Sequence, residues 1–180
     1  MPIPQLALRA SLTLAFGAIL LSISTPACAA TKGDVFFGYS RTGNNTFYPN
    51  AGGLNGWELD GQLRWKPFIG IEGDIARYGM GANAAVPHTT TVLFGPKLSL
   101  GTAGYKLFGH FLIGGEHSAN SSASTPISGG ALTYALGAGA EGPIAHFFAW
   151  RVQVDRISAI NQSPSGGTHA RFSTGVVFRF

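Results

Sequence analysis

Glu116-His117-Ser118-Ala119-Asn120 places a carboxyl, an imidazole and a hydroxyl on consecutive residues, the side-chain types of acyl transfer. A serine nucleophile needs its base within hydrogen-bond reach. Neighbouring side chains on a strand point to opposite faces, so His117 and Ser118 diverge there, and the motif reads as a strand end running into a polar loop. Gly137-Ala138-Gly139-Ala140-Glu141-Gly142 fits the G-x-G-x-x-G pattern of a phosphate cradle. That chemistry needs a helix to follow, whose N-terminus holds the pyrophosphate. Here Pro143 and a further strand-like segment follow, so the glycines read as space-makers in a crowded interior. The chain's acidic residues could pair as general acid and base, as in glycoside hydrolysis. Cations share their face of the strands, which favours ion pairing instead. His88, His110, His117, His146 and His169 are scattered, with no pair at helical metal-ligand spacing. No catalytic, cofactor-binding or metal-binding residue is assigned, and no cofactor is expected.

The elements that carry these residues are two-faced strands. In Trp57-Glu58-Leu59-Asp60-Gly61-Gln62-Leu63-Arg64-Trp65, the odd positions are apolar or glycine and the even ones charged or amide. Nine residues is the length of a strand crossing a bilayer obliquely, and Trp at both ends belongs at its interfaces. Seven more such segments follow the same reading: 34–41, 69–78, 89–98, 105–117, 131–141, 147–157 and 169–180. The connections alternate. Long polar loops cover 42–56, 79–88, 118–130 and 158–168; short turns cover 66–68, 99–104 and 142–146. Eight strands with long loops at one end and short turns at the other predict an all-β fold, an eight-stranded antiparallel up-and-down transmembrane β-barrel. Only helices and closed barrels satisfy their backbone groups inside a membrane.

Extended over all strands, the alternation puts every acidic residue on one face: Asp34, Glu58, Asp60, Glu72, Asp74, Glu116, Glu141 and Asp155. Arg64, Lys97, Lys106, Arg151, Arg171 and Arg179 share it. The two sets together are the expected lumen charge network, structural in role, of mixed sign and plugged rather than an ion path. A charge on the lipid side at mid-membrane would cost about 2–4 kcal/mol, which explains the segregation. Arg41, Arg77 and Arg156 stand on the opposite, outward frame at the loop ends of their strands. Guanidinium suits bidentate phosphate contact, so these three are candidates for lipopolysaccharide contact. Simple snorkelling at the interface is the alternative.

The remaining chain fits this picture. Residues 1–29 read as a secretory signal peptide, with Arg9 before an apolar run over 12–23 and a small-x-small site at Ala27-Cys28-Ala29. The rival is a lipoprotein acylated on Cys28, although the usual Leu before such a site is missing. Residues 30–180 form the barrel domain. Cys28 is the one cysteine of the chain, so cleavage leaves neither disulfide nor thiolate metal site. The net charge of +4 is spread thinly, without a Lys/Arg cluster, which argues against nucleic acid.

With its signal peptide, eight alternating strands and terminal Phe180, the chain resembles the small bacterial outer-membrane β-barrel family, such as the transmembrane domain of OmpA. The resemblance spans residues 33–180. In that family an aromatic residue ends the last strand after alternating apolar residues, and the barrel-assembly machinery reads it as an insertion signal. Phe172, Val176, Phe178 and Phe180 match, with Thr174 interrupting. OmpA carries a peptidoglycan-binding domain after its barrel; with Phe180 as the last strand's end, no such tether is expected here. The resemblance implies a structural, monomeric protein of the bacterial outer membrane, porin-like in build and not an enzyme. Its surface loops would serve envelope integrity or surface interactions, and its partners would be outer-membrane lipid, including lipopolysaccharide, and the assembly machinery. The alternatives are a narrow pore for small solutes and a lipid A-modifying enzyme. Barrel deacylases of lipid A carry His-x-Ser-Asn, which puts His and Ser on one face; the adjacency of His117 and Ser118 departs from it. A soluble ligand-binding barrel would reverse the faces. The Trp brackets, Phe180 and the turn alternation decide against that.

Overall fold

A computed structural model of the chain describes residues 32–43, 53–79, 88–102, 104–119, 128–160 and 168–180. Residues 1–29, expected to be a signal peptide, and the greater part of the four long loops lie outside the described residues. Eight strands follow in order: β1 Lys32–Thr42, β2 Leu54–Lys66, β3 Ile69–Tyr78, β4 His88–Thr102, β5 Tyr105–Ala119, β6 Ser128–Pro143, β7 Phe148–Ala159 and β8 Thr168–Arg179. Each pairs antiparallel with its neighbour, and β1 pairs with β8, closing the barrel. Closure leaves no free sheet edge, so every strand satisfies its backbone groups on both sides.

The expected strands are all present, and several are longer than the alternation indicated. Ser99–Thr102, expected in a turn, instead pair with Tyr105–Phe108 and continue β4. Gly104 sits between β4 and β5 with φ 90°, a conformation open to glycine and costly for residues with a Cβ. That glycine permits the tight reversal, so the strands run on almost to its ends. The β2–β3 turn needs only Pro67 and Phe68, with a register shift between Arg64 and Lys66. β6 likewise reaches Pro143, and the bend to β7 covers residues 144–147.

The seam is sealed at the turn end. Gly33 N–H donates to Phe180 O at 3.1 Å and Phe180 N–H to Gly33 O at 3.0 Å, one step beyond β8. The Phe180 ring lies over Gly33, where a built Cβ would meet Cε2 at 2.5 Å. Trp150 covers Gly142 in the same way. Both glycines let an aromatic ring lie flat against the wall.

The outer wall is apolar. Phe37, Leu59, Trp65, Ile71, Phe94, Leu107, Phe111, Leu136, Val154, Phe172 and Phe178 all face out. The interior is mixed. Charged side chains fill its middle and turn end. Leu93, Leu112, Ala135 and Ile157 cluster toward the loop end, as do Leu54, Ala76 and Tyr78. Phe36, Ala149 and Val177 form a third cluster beside the charges.

Candidate functional site: the lumen and the outer arginines

Strand alternation alone brings the interior charges together. All eight acidic side chains are buried, none more than 2% exposed, and Lys97, Arg151 and Arg171 are fully buried. Because barrel strands coil, residues far apart in the chain meet on the axis. At the turn end Arg179 Nη2 reaches Glu141 Oε2 at 2.9 Å, Lys106 approaches the same oxygen at 3.9 Å, and Arg64 pairs with Asp34 at 3.1 Å. Above them Arg151 donates from Nη1 to Asp60 at 2.7 Å and from Nη2 to Glu141 at 2.8 Å, and approaches Asp34 at 3.4 Å. Its guanidinium also stacks on Phe36 and Phe108, with the carbon 4.7 and 5.2 Å from the ring centres. Lys97 lies 4.0 Å over the centre of the same Phe108 ring and pairs with Glu72. Toward the loops Arg171 donates from Nε to Asp155 at 2.6 Å and from Nη1 to Asp74 at 3.0 Å, and approaches Glu58 at 3.5 Å.

His110 links the two halves. Its Nδ1 lies 2.7 Å from Glu72 Oε1 and its Nε2 2.7 Å from Asp155 Oδ1. An ionised carboxylate only accepts hydrogen bonds, so a ring held between two of them donates from both nitrogens and is an imidazolium. A chain of alternating sign then runs Arg179, Glu141, Lys97, Glu72, His110, Asp155, Arg171, Asp74. Gln153 Nε2 and Ser173 Oγ both donate to Glu58, each at 2.5 Å. The alternation of β5 carried the signal for His110, which shares its frame with Lys106 and Glu116. Reading the five histidines for metal spacing passed over it.

The Gly137-to-Gly142 motif lies inside β6 and at its end, with no helix after it. A Cβ on Gly137 would stand 1.8 Å from Asp155 Oδ1 and 2.2 Å from His110 Nε2. On Gly139 it would meet Phe108 and Val152 O, both at 2.5 Å. His117 is exposed, while Ser118 is buried and bonded to Thr89 at 2.7 Å. The two side chains are on opposite faces of β5, which leaves the serine without that base. Glu58, Asp60 and Asp74 bring oxygens within 4.8 Å of one another, the spacing of a metal site. Arg151 and Arg171 already supply positive charge to Asp60 and to Asp74 and Glu58.

Glu116 departs from the expected network. It is buried in the lumen, yet both its oxygens lack a hydrogen-bond partner, and among the described residues it forms no ion pair. The cause is distance along the strands. His110 on β5 and Lys97 on β4, counted from Thr91 opposite Glu116, are six positions away, about 20 Å.

Arg41, Arg77 and Arg156 are exposed on the outer wall. They stand near the loop ends of β1, β3 and β7, on alternate strands, so each step between them spans about 10 Å of wall. Arg156 is opposite Ala170 on β8, and Phe172, two residues on, is opposite Arg41. Arg41 is also opposite Asn55, and Trp57, two residues on, is opposite Arg77. Asn55 Oδ1 accepts from Tyr39 at 2.6 Å and from Arg41 at 3.5 Å. An open groove of about 770 Å³ runs over Ala138, Val154 and Ala170 beside Arg156. A second groove continues it past Phe172 to Arg41.

No protein-family model and no curated protein sequence matches the chain. Solved structures do. Neisserial surface protein A superposes with a TM-score of 0.61 at 9% identity, over 83% of this chain and 96% of the other. The N-terminal β-barrel domain of Pseudomonas aeruginosa OprF gives 0.61 at 13% identity, over 83% and 97%. The attachment invasion locus protein Ail of Yersinia pestis gives 0.56 at 18% identity, over 83% and 99%. Closed by β1 and β8, apolar outside and charged within, the chain has the fold of the small eight-stranded outer-membrane β-barrels.

Proposed function

We propose that the chain is a monomeric structural protein of the bacterial outer membrane. Its barrel would act as an anchor inserted by the barrel-assembly machinery through Phe180, and its loops would serve envelope integrity or surface interactions. One observation carries this reading: a continuous ion-paired plug fills a barrel whose outer wall is apolar. A wall of exposed Phe, Leu, Ile, Val and Trp is stable in lipid and would aggregate in water. Fully buried Arg151 and Arg171 stand across the axis, which favours an anchor over a pore. Cell fractionation tests the reading. The protein is expected to sediment with outer membranes, to shift its gel mobility on boiling, and to give no steps of conductance in planar bilayers. Recovery as a soluble periplasmic species would reject it, and steady conductance would favour the pore.

The outer arginines belong to the same proposal. Their arc would hold lipopolysaccharide phosphates at the level of the outer headgroups, with acyl chain lying in the groove over Ala138 and Ala170. The combined variant R41Q/R77Q/R156Q is expected to lose stability in lipopolysaccharide-containing bilayers, by about 0.3–1 kcal/mol per lost exposed charge contact. In phosphate-free detergent it should unfold like the parent. Equal behaviour of parent and variant in both media would leave snorkelling as the role of these side chains.

A further inference from the structure

Glu116 is the one acidic side chain among the described residues that enters none of the lumen's ion pairs, although it is only 2% exposed. Opposite it on β4 stands Thr91, fully buried, whose Oγ1 is also without a hydrogen bond. Cross-strand partners hold their Cβ atoms about 5 Å apart, so these two side chains are within reach of each other. Their oxygens nevertheless do not bond. Three buried oxygens therefore stand on facing positions of β4 and β5, and the one donor among them, the Thr91 hydroxyl, does not reach the carboxylate. The hydroxyls around them are already engaged: Thr89 with Ser118 at 2.7 Å, and Thr133 with Ala131 O at 3.4 Å. On the loop side of the lumen the basic inward side chains are His169 and Arg171, carried by β8, three strands away from β5, and the Tyr78 hydroxyl on β3 is engaged with Ser40. Below, Leu93 and Leu112 separate Glu116 from the charge network. An ionised carboxylate in such a place is costly unless something positive joins it.

We propose that Glu116 and Thr91 hold a hard divalent cation, of the calcium class, at the loop end of the lumen. The carboxylate would contribute two oxygens and Thr91 one. Calcium takes six to eight oxygen ligands, so water from the loop side would complete the shell. Three protein oxygens and one formal charge make a weak site, with a dissociation constant on the order of 10⁻⁴–10⁻³ M, the range of extracellular calcium modules. The site lies inside the barrel and is separate from the outer arginines, so it stands whether or not lipopolysaccharide binds them.

The test is equilibrium dialysis of calcium chloride against the folded full barrel in a neutral, phosphate-free detergent, which removes lipid phosphate as a competing site. The parent is expected to take up one calcium per barrel. E116Q keeps the shape of the side chain and is expected to lose that uptake, while T91V should weaken it roughly tenfold or less, as the loss of one neutral ligand among several. Heat-dependent gel mobility confirms that each variant is folded. Uptake in E116Q equal to the parent would overturn the proposal, and so would a parent that binds no calcium at about ten times the expected constant. An infrared band of protonated Glu116 that persists in saturating calcium would assign the neutralising role to a proton and overturn it too.

Discussion

Arg151→Met is expected to destabilise the barrel by about 3–5 kcal/mol, the cost of breaking a buried ion pair by removing one partner. The reason lies in what each carboxylate retains. Glu141 keeps Lys97, Lys106 and Arg179, and Asp34 keeps Arg64. Asp60 loses its one ion pair among the described residues and its carboxyl is left without that partner in a closed interior. Met fills much of the Arg volume over Phe36 and Phe108, so packing is largely preserved while the charge is lost. Adding Asp60→Asn should then restore a large part of the loss, because the orphaned carboxyl goes with it. Asp60→Asn alone should destabilise, because it leaves Arg151 with less compensation. Urea unfolding in detergent, followed by circular dichroism and by gel mobility, gives the four corners of this cycle. A loss below about 1 kcal/mol in Arg151→Met would place the pair in the class of screened surface contacts and contradict its burial.

The same residues show how far the sequence could be read. The nonapeptide from Trp57 to Trp65 sorted itself into two faces, and in the structure Glu58, Asp60 and Gln62 are buried while Leu59 and Trp65 are exposed. Period-two alternation carries that information locally, since one residue of slip would turn every side chain over. The partners inside the barrel were another matter. Arg151 meets Asp60 across 91 residues of chain, and Arg171 meets Asp74 across 97. Those meetings depend on strand tilt and stagger, which alternation does not encode. His110 was legible as an inward residue and illegible as a bridge for this reason. Glu116 shows the opposite error. Its sign and frame placed it with the network, but its height along β5 isolates it. The loop-end apolar clusters were hidden too, because Leu54 falls in the expected loop 42–56 and Ile157 lies on the polar frame of a strand otherwise sorted by charge. Strand ends depended on turn chemistry: Gly104 allows a reversal tighter than a six-residue turn, and β4 grew by four residues as a result.

Gly137→Ala should destabilise the barrel by about 3 kcal/mol, the sum of overpacking and a lost charge-assisted hydrogen bond. The new Cβ would stand between His110 Nε2 and Asp155 Oδ1, so at least one of these side chains must shift to admit it. Asp155 is also held by Arg171, and His110 by Glu72, so displacing either disturbs the chain on both sides. Gly61→Ala and Gly73→Ala provide the contrast. These two glycines are opposite one another on β2 and β3, face lipid, and have nothing within 4 Å of an added Cβ. Each should change stability by no more than about 0.5 kcal/mol, or raise it slightly by restricting the unfolded chain. A second step separates space from strand propensity. Removing the imidazole with His110→Ala costs stability by itself, but it also vacates one of the two atoms that the new methyl would strike. Gly137→Ala should then cost clearly less in the His110→Ala background than in the parent. Glycine chosen for backbone freedom would predict equal losses in both backgrounds. Glycine chosen for room predicts a coupling of about 1 kcal/mol or more between neighbouring sites. That outcome would assign the G-x-G spacing at Gly137 and Gly139 to the side chains opposite, His110 with Asp155 and Phe108 with its two cations, rather than to any phosphate.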